Sequence, residues 1–199
     1  MASGLSQRFG SNKLLVQFKG KSLIEAILDK TESLCDAQAA GTMEATEPFI
    51  NKRLVLTRTK EVQDFCTARD VDVIFHELPN RNDAVKLGME RMMDCDAVIF
   101  CTCDQPLLKA ESIKKIIQEF SQKGSGIYRL AFSDEVGNPI LFSKEYFDEL
   151  CKLPSKKGGA YLAAAHPENV ALVMANDKWE LFDVDTPEDL ILLNKVERD

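Results

Sequence analysis

The chain lacks the long apolar run that a transmembrane helix requires, although 45% of its 199 residues are hydrophobic. Its six cysteines show none of the dense spacing of a secreted disulfide scaffold, and no signal-peptide pattern is recognised. The two histidines, His76 and His166, are too far apart in the chain to have the spacing of zinc ligands. These absences exclude several classes of protein and predict reduced thiols in a cytoplasmic protein.

Basic residues are outnumbered, with 25 lysines and arginines against 32 acidic residues and a formal net charge of −7. This balance argues against a general nucleic-acid-binding protein. The N-terminal segment is different, because residues 1–23 contain several basic side chains and no acid. Charges farther away than about 8 Å are largely screened at physiological salt, so a phosphorylated ligand would meet this local excess of positive charge.

The first thirteen residues combine two glycines, Gly4 and Gly10, with small and hydroxyl-bearing residues. Such a stretch can turn tightly and point backbone N–H groups at an anion. Arg8 and Lys13 add two charges, and the arginine is suited to forked phosphate contacts. The Walker spacing and the dinucleotide pattern G-x-G-x-x-G are both absent. On this pattern alone, a phosphate-binding loop and a plain N-terminal tail are both possible interpretations.

Beyond this stretch, short apolar runs alternate with amphipathic segments of helical periodicity. The unbroken apolar run from Ala97 to Cys101 is typical of a parallel strand that is covered on both faces. The alternation predicts βαβ units with right-handed crossovers, and hence an α/β fold with a mostly parallel sheet. Because the chain has no linker and no internal repeat, residues 1–199 are predicted to form one domain.

Three aspartates lie where such a sheet binds ligands, at the carboxyl ends of predicted strands. Asp104 comes directly after the apolar run, and Mg²⁺ needs only one or two carboxylates besides phosphate oxygens. The alternative role for Asp104 is to cap the helix that follows. Asp183 lies in a predicted strand from Leu181 to Val184 and Asp185 directly follows it, so in extended chain the two would project to one face about 6–7 Å apart. One of them, preferably Asp185, would then reach a metal bound by Asp104.

Three local motifs predict where helices begin and where the chain turns. Ser22 with Glu25, and Thr186 with Asp189, have the spacing of capping boxes. Gly137-Asn138-Pro139 predicts a turn between two strands.

Three motifs, in this order, resemble those of one family. Residues 1–15 are similar to the loop written L-A-A-G-x-S-x-R-M-G-x-x-K-L-L. Asp104, in Cys-Asp-Gln-Pro followed by two leucines, matches a second motif whose aspartate binds the metal. Residues 183–190 match the third, D-I-D-T-P-E-D-L. The chain thereby resembles the MobA-like nucleotidyltransferases, and within them the molybdenum cofactor cytidylyltransferases.

The resemblance implies a three-layer α/β/α sandwich of the nucleotide-diphospho-sugar transferase type. It also implies transfer of CMP from CTP to molybdopterin or a related phosphorylated pterin, with Mg²⁺ as cofactor. By resemblance, catalysis would rest on Arg8, Lys13 and Asp104, and the metal would be bound by Asp104 with Asp185 or Asp183. The nucleotide would be held by Ala2, Ser3, Gly4, Ser6, Arg8, Lys13, Asn80 and Ala84. The acceptor would be bound by Asn138, Lys157 and Gly158.

Departures from the family pattern leave other functions open. Lys156 stands where relatives carry the acid of G-D-K-G-G, and the apolar strand that precedes the family's loop is expected upstream of Met1. A guanylyltransferase is one alternative, because residues 2–4 match neither the A-A-G usual in cytidylyl enzymes nor the A-G-G usual in guanylyl enzymes. The other is a non-catalytic protein that delivers a nucleotide or cofactor. In either case a molybdenum hydroxylase or its maturation factor is the candidate protein partner, and no nucleic acid or membrane partner is expected.

Overall fold

The computed structural model describes residues 12–35 and 49–196, along which helices and strands alternate. Within these residues, every helix is too short or too polar to span a lipid bilayer. The helices are α1 (Leu23–Cys35), α2 (Lys60–Ala68), α3 (Arg81–Met89), α4 (Ala110–Lys123), α5 (Phe147–Cys151), α6 (Gly159–Ala165) and α7 (Pro187–Val196). The strands are β1 (Gln17–Phe18), β2 (Lys21–Ser22), β3 (Val55–Thr57), β4 (Val73–Phe75), β5 (Ala97–Phe100), β6 (Ile127–Phe132), β7 (Glu135–Ser143) and β8 (Val170–Met174).

The largest sheet has the strand order β5-β7-β6-β8. In it β7 runs antiparallel to both of its neighbours, whereas β6 and β8 are parallel. A separate pair, β3 and β4, is parallel, and β1 and β2 form a short antiparallel hairpin. The α/β class is therefore confirmed, but the sheet is mixed where a mostly parallel one was expected. The reason is the tight turn between β6 and β7, since so short a connection joins only antiparallel strands.

Alternate residues of β6 and β7 face two different cores. Tyr128 and Leu141 belong to a cluster that includes residues of α1, α2 and α4. Ile127 and Phe142 belong to a second cluster, with residues of α3, α5 and α6. Successive side chains of a strand point to opposite faces of the sheet, so helices cover both faces. This arrangement confirms the three-layer α/β/α architecture.

Both capping boxes are present. The Ser22 backbone N–H donates to Glu25 Oε2 and the Glu25 N–H to Ser22 Oγ, each at 3.3 Å, at the start of α1. At the start of α7, the Asp189 N–H donates to Thr186 Oγ1 at 3.3 Å, and the Thr186 N–H donates to Asp189 Oδ2 at 2.7 Å. These reciprocal bonds satisfy N–H groups that have no partner within the helix.

The predicted turn at Gly137-Asn138-Pro139 is wrong, because these residues lie inside β7. The register of β6 against β7 shifts at this point, so residues 137–139 form a bulge. The chain reverses instead at residues 133–134, where Ser133 has a positive φ of 52°. The bulge interrupts regular pairing and leaves Asn138 beside a cavity.

The predicted strand from Leu181 to Val184 is also wrong. Residues Lys178–Leu181 form a 3-10 turn, whose start is fixed by Asp177 Oδ1 accepting from the Trp179 N–H at 3.0 Å. Asp183 and Asp185 then follow in an irregular segment, so their relative placement does not come from the alternation of a strand.

Candidate active site

Lys13 contacts two aspartates that are far from it in the chain. Its Nζ donates to Asp104 Oδ2 and to Asp185 Oδ1, each at 3.0 Å, and to the Val184 carbonyl at 2.8 Å. Burial opposes the charge on Lys13, but the two carboxylates outweigh burial and raise its pKa. The side chain is therefore a charged ammonium that holds the two aspartates together.

The backbone around Lys13 is fixed by Asn12. Lys13–Leu15 form a 3-10 turn, and Asn12 Oδ1 accepts from the Leu14 N–H at 3.2 Å. Asn12 Nδ2 also donates to Thr59 Oγ1 at 2.8 Å, which connects this turn to the loop after β3. The Lys13 side chain, at 11% exposure, is thus held in a defined position beside the aspartates.

Asp104 lies in the loop after β5, and this loop is joined to the segment that bears Asp183 and Asp185. The Asp104 carbonyl accepts from the Val184 N–H at 2.8 Å. Gln105 Nε2 donates to the carbonyl of Leu181 at 3.2 Å. These two bonds align the segments and bring carboxylates from distant parts of the chain into one site.

The three carboxylates differ in their surroundings. Asp185 is the more exposed partner of Lys13, and its backbone N–H donates to Asp189 Oδ2 at 2.8 Å, within the α7 cap. Asp183 borders solvent, but partial desolvation and the charges of Asp104 and Asp185 raise its pKa to about 6. One positive ammonium therefore does not fully neutralise the carboxylates, and the group favours a further cation.

The Asp104 carboxylate fits a metal ligand in one further respect. Its Oδ1 is a buried oxygen without a hydrogen-bond donor, whereas Oδ2 accepts from Lys13. Among residues 12–35 and 49–196, no group of three or more His, Cys, Asp or Glu side chains is arranged to hold a metal by itself. Two or three carboxylates without a complete ligand cage suit a divalent cation that also binds substrate phosphates.

A cavity of about 460 Å³ opens at these carboxylates. It is lined by Asp104, Asp183 and Asp185 and by three more of the predicted site residues, Asn80, Asn138 and Gly158. Asn80 precedes α3, Asn138 belongs to the β7 bulge, and Gly158 precedes α6. The structure thus brings together most of the predicted residues that it describes.

Two predicted residues lie elsewhere. Ala84 is buried inside α3 and does not line the cavity. Lys157 is exposed, with its ammonium 5.4 Å from the centre of the Tyr161 ring, and it does not line the cavity either. The predictions for Ala2, Ser3, Gly4, Ser6 and Arg8 fall outside the described residues.

The cavity residues that the sequence did not predict include three with basic side chains: Arg58, His76 and Arg81. Arg58 directly follows β3, His76 directly follows β4, and Arg81 is the first residue of α3. Burial, reinforced by the charge of Arg58, lowers the pKa of His76, so its ring is neutral at pH 7. For Arg58 and His76, the position at the carboxyl ends of two parallel strands was the signal that could have identified them.

Comparison with known proteins identifies a family for the chain. The family model described as MobA-like NTP transferase domain matches residues 1–170. Among curated proteins, the chain is similar to the bifunctional protein GlmU of Thermodesulfovibrio yellowstonii, with 23% identity over 134 residues. This match covers 66% of the chain but only 27% of GlmU.

Solved structures share the fold over nearly the whole chain. Rv0371c from Mycobacterium tuberculosis H37Rv has a TM-score of 0.80 at 21% identity, covering 98% of this chain and 95% of that one. Its complex with manganese has a TM-score of 0.70 at 18% identity, covering 97% and 94%. Molybdopterin-guanine dinucleotide biosynthesis protein A from Archaeoglobus fulgidus has 0.69 at 18% identity, covering 99% and 96%. At such identities the likeness establishes the fold alone.

Proposed function

We propose that this protein transfers CMP from CTP to molybdopterin or a related phosphorylated pterin. The basis is its family, because the chain belongs to the MobA-like NTP transferase domain family of nucleotidyltransferases. The observation that carries this proposal is the contact of Lys13 with both Asp104 and Asp185 beside the cavity. The aspartates lie 91 and 172 residues from Lys13 in sequence. A cation and several carboxylates at one cleft are the parts that nucleotidyl transfer needs.

In the proposed reaction, a phosphate oxygen of the acceptor forms a bond to the α-phosphorus of CTP. The bond between that phosphorus and the oxygen bridging to the β-phosphate breaks, and pyrophosphate leaves with the electron pair. Because the attacking phosphate is already ionised at neutral pH, no strong protein base is required. Catalysis of this kind consists mainly of positioning and charge neutralisation.

The residues have distinct roles in this proposal. Lys13 exchanges its carboxylate contacts for phosphate oxygens of the nucleotide, joined by Arg8 and the amides of residues 2–6. Asp104 with Asp185 or Asp183 would hold a divalent cation, proposed to be Mg²⁺, which when bound neutralises phosphate charge. The nucleoside would be oriented by Asn80, with Ala84 packing behind it, and the acceptor by Asn138, Gly158 and Lys157.

A guanylyltransferase is the nearest alternative, favoured by the name of the Archaeoglobus fulgidus neighbour. The cytidylyl proposal rests on the sequence resemblance, and the two functions differ in the base that the cleft accepts. In both cases the product would be a dinucleotide form of the cofactor. A molybdenum hydroxylase or its maturation factor is the proposed recipient, in the cytoplasm.

A binding protein without turnover is the alternative from another class, and its basis in the sequence is Lys156 in place of the acid that relatives carry. In the structure Lys156 is exposed and does not line the cavity. Its backbone N–H donates to Asn82 Oδ1 at 2.9 Å, and its φ is 64°. The exchange of an acid for this lysine therefore adds no charge to the cavity wall, which supports the catalytic proposal over the binding one.

Pyrophosphate release tests these alternatives directly. The protein is incubated with molybdopterin, MgCl₂ and either CTP or GTP, and we expect turnover with CTP. Lys13→Ala and Asp104→Ala should each lower the rate by about 10²-fold or more, the scale of losing a preorganised charge contact. Near-normal rates in both variants contradict the assigned roles. A preference for GTP supports the guanylyl alternative, and nucleotide binding without pyrophosphate release supports the binding protein.

A further inference from the structure

Two arginines on the cavity wall have no partner in the part of the chain that the structure describes. Neither Arg58 nor Arg81 makes a side-chain hydrogen bond or an ion pair there, although both line the cavity. Two other arginines are paired: Arg69 lies 3.0 Å from Glu25, and Arg53 donates to the Leu28 carbonyl at 3.1 Å. Each guanidinium carries five N–H donors, so this wall presents a surplus of donors and positive charge to the cavity.

Arg81 is held where α3 meets the loop before α6. A Cβ added to Gly158 would lie 2.7 Å from Arg81 Cδ, so the arginine stem occupies the space that a side chain at position 158 would fill. The Lys156 N–H bond to Asn82 Oδ1 joins the same two segments at 2.9 Å. The aliphatic part of the Arg81 side chain therefore packs against Gly158, although Arg81 is exposed and remains accessible to a ligand in the cavity.

Arg58 reaches the cavity from the end of β3, partly buried and close to His76. The Arg58 charge contributes to the lowered pKa of His76, and the neutral ring adds no charge of its own. The cations of the site thus fall into two groups. Lys13 is bound to the aspartates, whereas the two arginines are free to bind an anion.

We propose that Arg58 and Arg81 form the subsite for the phosphate monoester of the acceptor, an inference that rests on the proposed nucleotidyl transfer. Joining an acceptor phosphate to the α-phosphate brings two anions together. The nucleotide phosphates are assigned to Lys13 and the cation at the aspartates, so the acceptor phosphate needs its own positive partner. Arginine binds phosphate through two parallel N–H···O bonds, which fix orientation as well as neutralising charge.

Calorimetric titration with inorganic phosphate tests this subsite. The titration uses protein saturated with Mg²⁺ and α,β-methylene-CTP, an unreactive analogue, so that the nucleotide positions are filled. Arg58→Gln and Arg81→Gln are each expected to weaken phosphate binding by about tenfold, the effect of losing one charge-assisted contact. Their affinity for the CTP analogue should stay within about threefold of the wild type. Arg91→Gln is the matched control, because Arg91 is an exposed arginine that does not line the cavity.

The other possible results of the titration separate failure of the subsite from failure of the proposed nucleotidyl transfer. Phosphate binding that is unchanged in both variants overturns the subsite, and so does a loss of nucleotide affinity equal to the loss of phosphate affinity. Acetate binding more tightly than phosphate overturns the phosphate assignment in favour of a carboxylate acceptor. If the wild type binds no nucleotide, the proposed nucleotidyl transfer fails, while titration of phosphate alone still shows whether the arginines form an anion site.

Discussion

Replacing Lys13 by methionine keeps the length of the side chain and removes the charge between Asp104 and Asp185. Lys13 Nζ lies 3.0 Å from an oxygen of each aspartate, so it would compete with a divalent cation for the same carboxylates. A unit charge ~4 Å from a divalent cation repels it by roughly 2 kcal/mol even at the dielectric constant of water. The flexible Lys13 side chain can move partly away from a bound cation, which reduces this repulsion. We therefore expect Lys13→Met to bind Mn²⁺ about tenfold more tightly than the wild type, an effect of roughly 1.4 kcal/mol.

Turnover should change in the opposite direction. Lys13 is proposed to neutralise nucleotide phosphates, so Lys13→Met should release pyrophosphate about 10²-fold more slowly than the wild type. Tighter metal binding together with slower turnover is the result expected of a charge shared between metal ligands and substrate. A general loss of folding would weaken both properties.

Isothermal titration with MnCl₂ in the absence of nucleotide measures the first effect, and a pyrophosphate assay on the same preparations measures the second. Lys52→Met is the matched control. Lys52 Nζ also donates to a carbonyl, that of Arg91 at 2.6 Å, and to a carboxylate, Asp94 Oδ1 at 3.2 Å, but it does not line the cavity. Unchanged or weaker Mn²⁺ binding by Lys13→Met would refute the shared use of the carboxylates. A rate within threefold of the wild type would refute the role in phosphate binding.

Three further predictions follow from single residues. Asp183→Asn should stabilise the metal-free protein in urea by about 1 kcal/mol at pH 7.5 and hardly at all near pH 4. The folded pKa of about 6 exceeds the ordinary 3.8, so the ionised group begins to cost stability as the pH rises above about 4 and reaches its full cost above about 6. That full cost, about 3 kcal/mol, is reduced because Asp183 borders solvent. Glu180→Ala should lower the free energy of unfolding in urea by about 3 kcal/mol. The reason is that the fully buried carboxylate accepts from Ser112 Oγ and from a backbone amide at the start of α4. A loss below about 1 kcal/mol would contradict this role. Gly158→Ala should displace Arg81 and raise the KM for the acceptor, while changing the free energy of unfolding by less than about 0.5 kcal/mol. An unchanged KM for the acceptor would contradict the proposed contact between Arg81 and the acceptor.

Elements whose determinants are close together in sequence could be predicted well. The capping boxes of α1 and α7 each depend on residues three apart, and both are present as predicted. The prediction of a strand from Leu181 to Val184 was wrong because of another local contact. The apolar residues of this segment favour a strand, but the Asp177 side chain caps a 3-10 turn over Lys178–Leu181, which takes up the start of the segment.

The site was only partly predictable, because its residues meet through long-range contacts. The order of motifs identified Lys13, Asp104 and Asp185, yet no pattern in the sequence specifies that one ammonium contacts both carboxylates. Arg58 and Arg81 were missed because a single arginine after a strand resembles any solvated charge. Only the assembled cleft shows that both line one cavity and that neither is paired with an acid among residues 12–35 and 49–196.

The charges around the cleft give a reason for metal and nucleotide to bind together. Among the described side chains of the cleft, two arginines and Lys13 balance the three aspartates, so these residues together offer a triphosphate no net positive charge. A divalent cation at the aspartates would change that balance and release Lys13 toward the phosphates. The nucleotide, in turn, would supply oxygen ligands to the cation. Under the proposed function each ligand would therefore strengthen the binding of the other, and linkage requires that the two effects be equal in free energy.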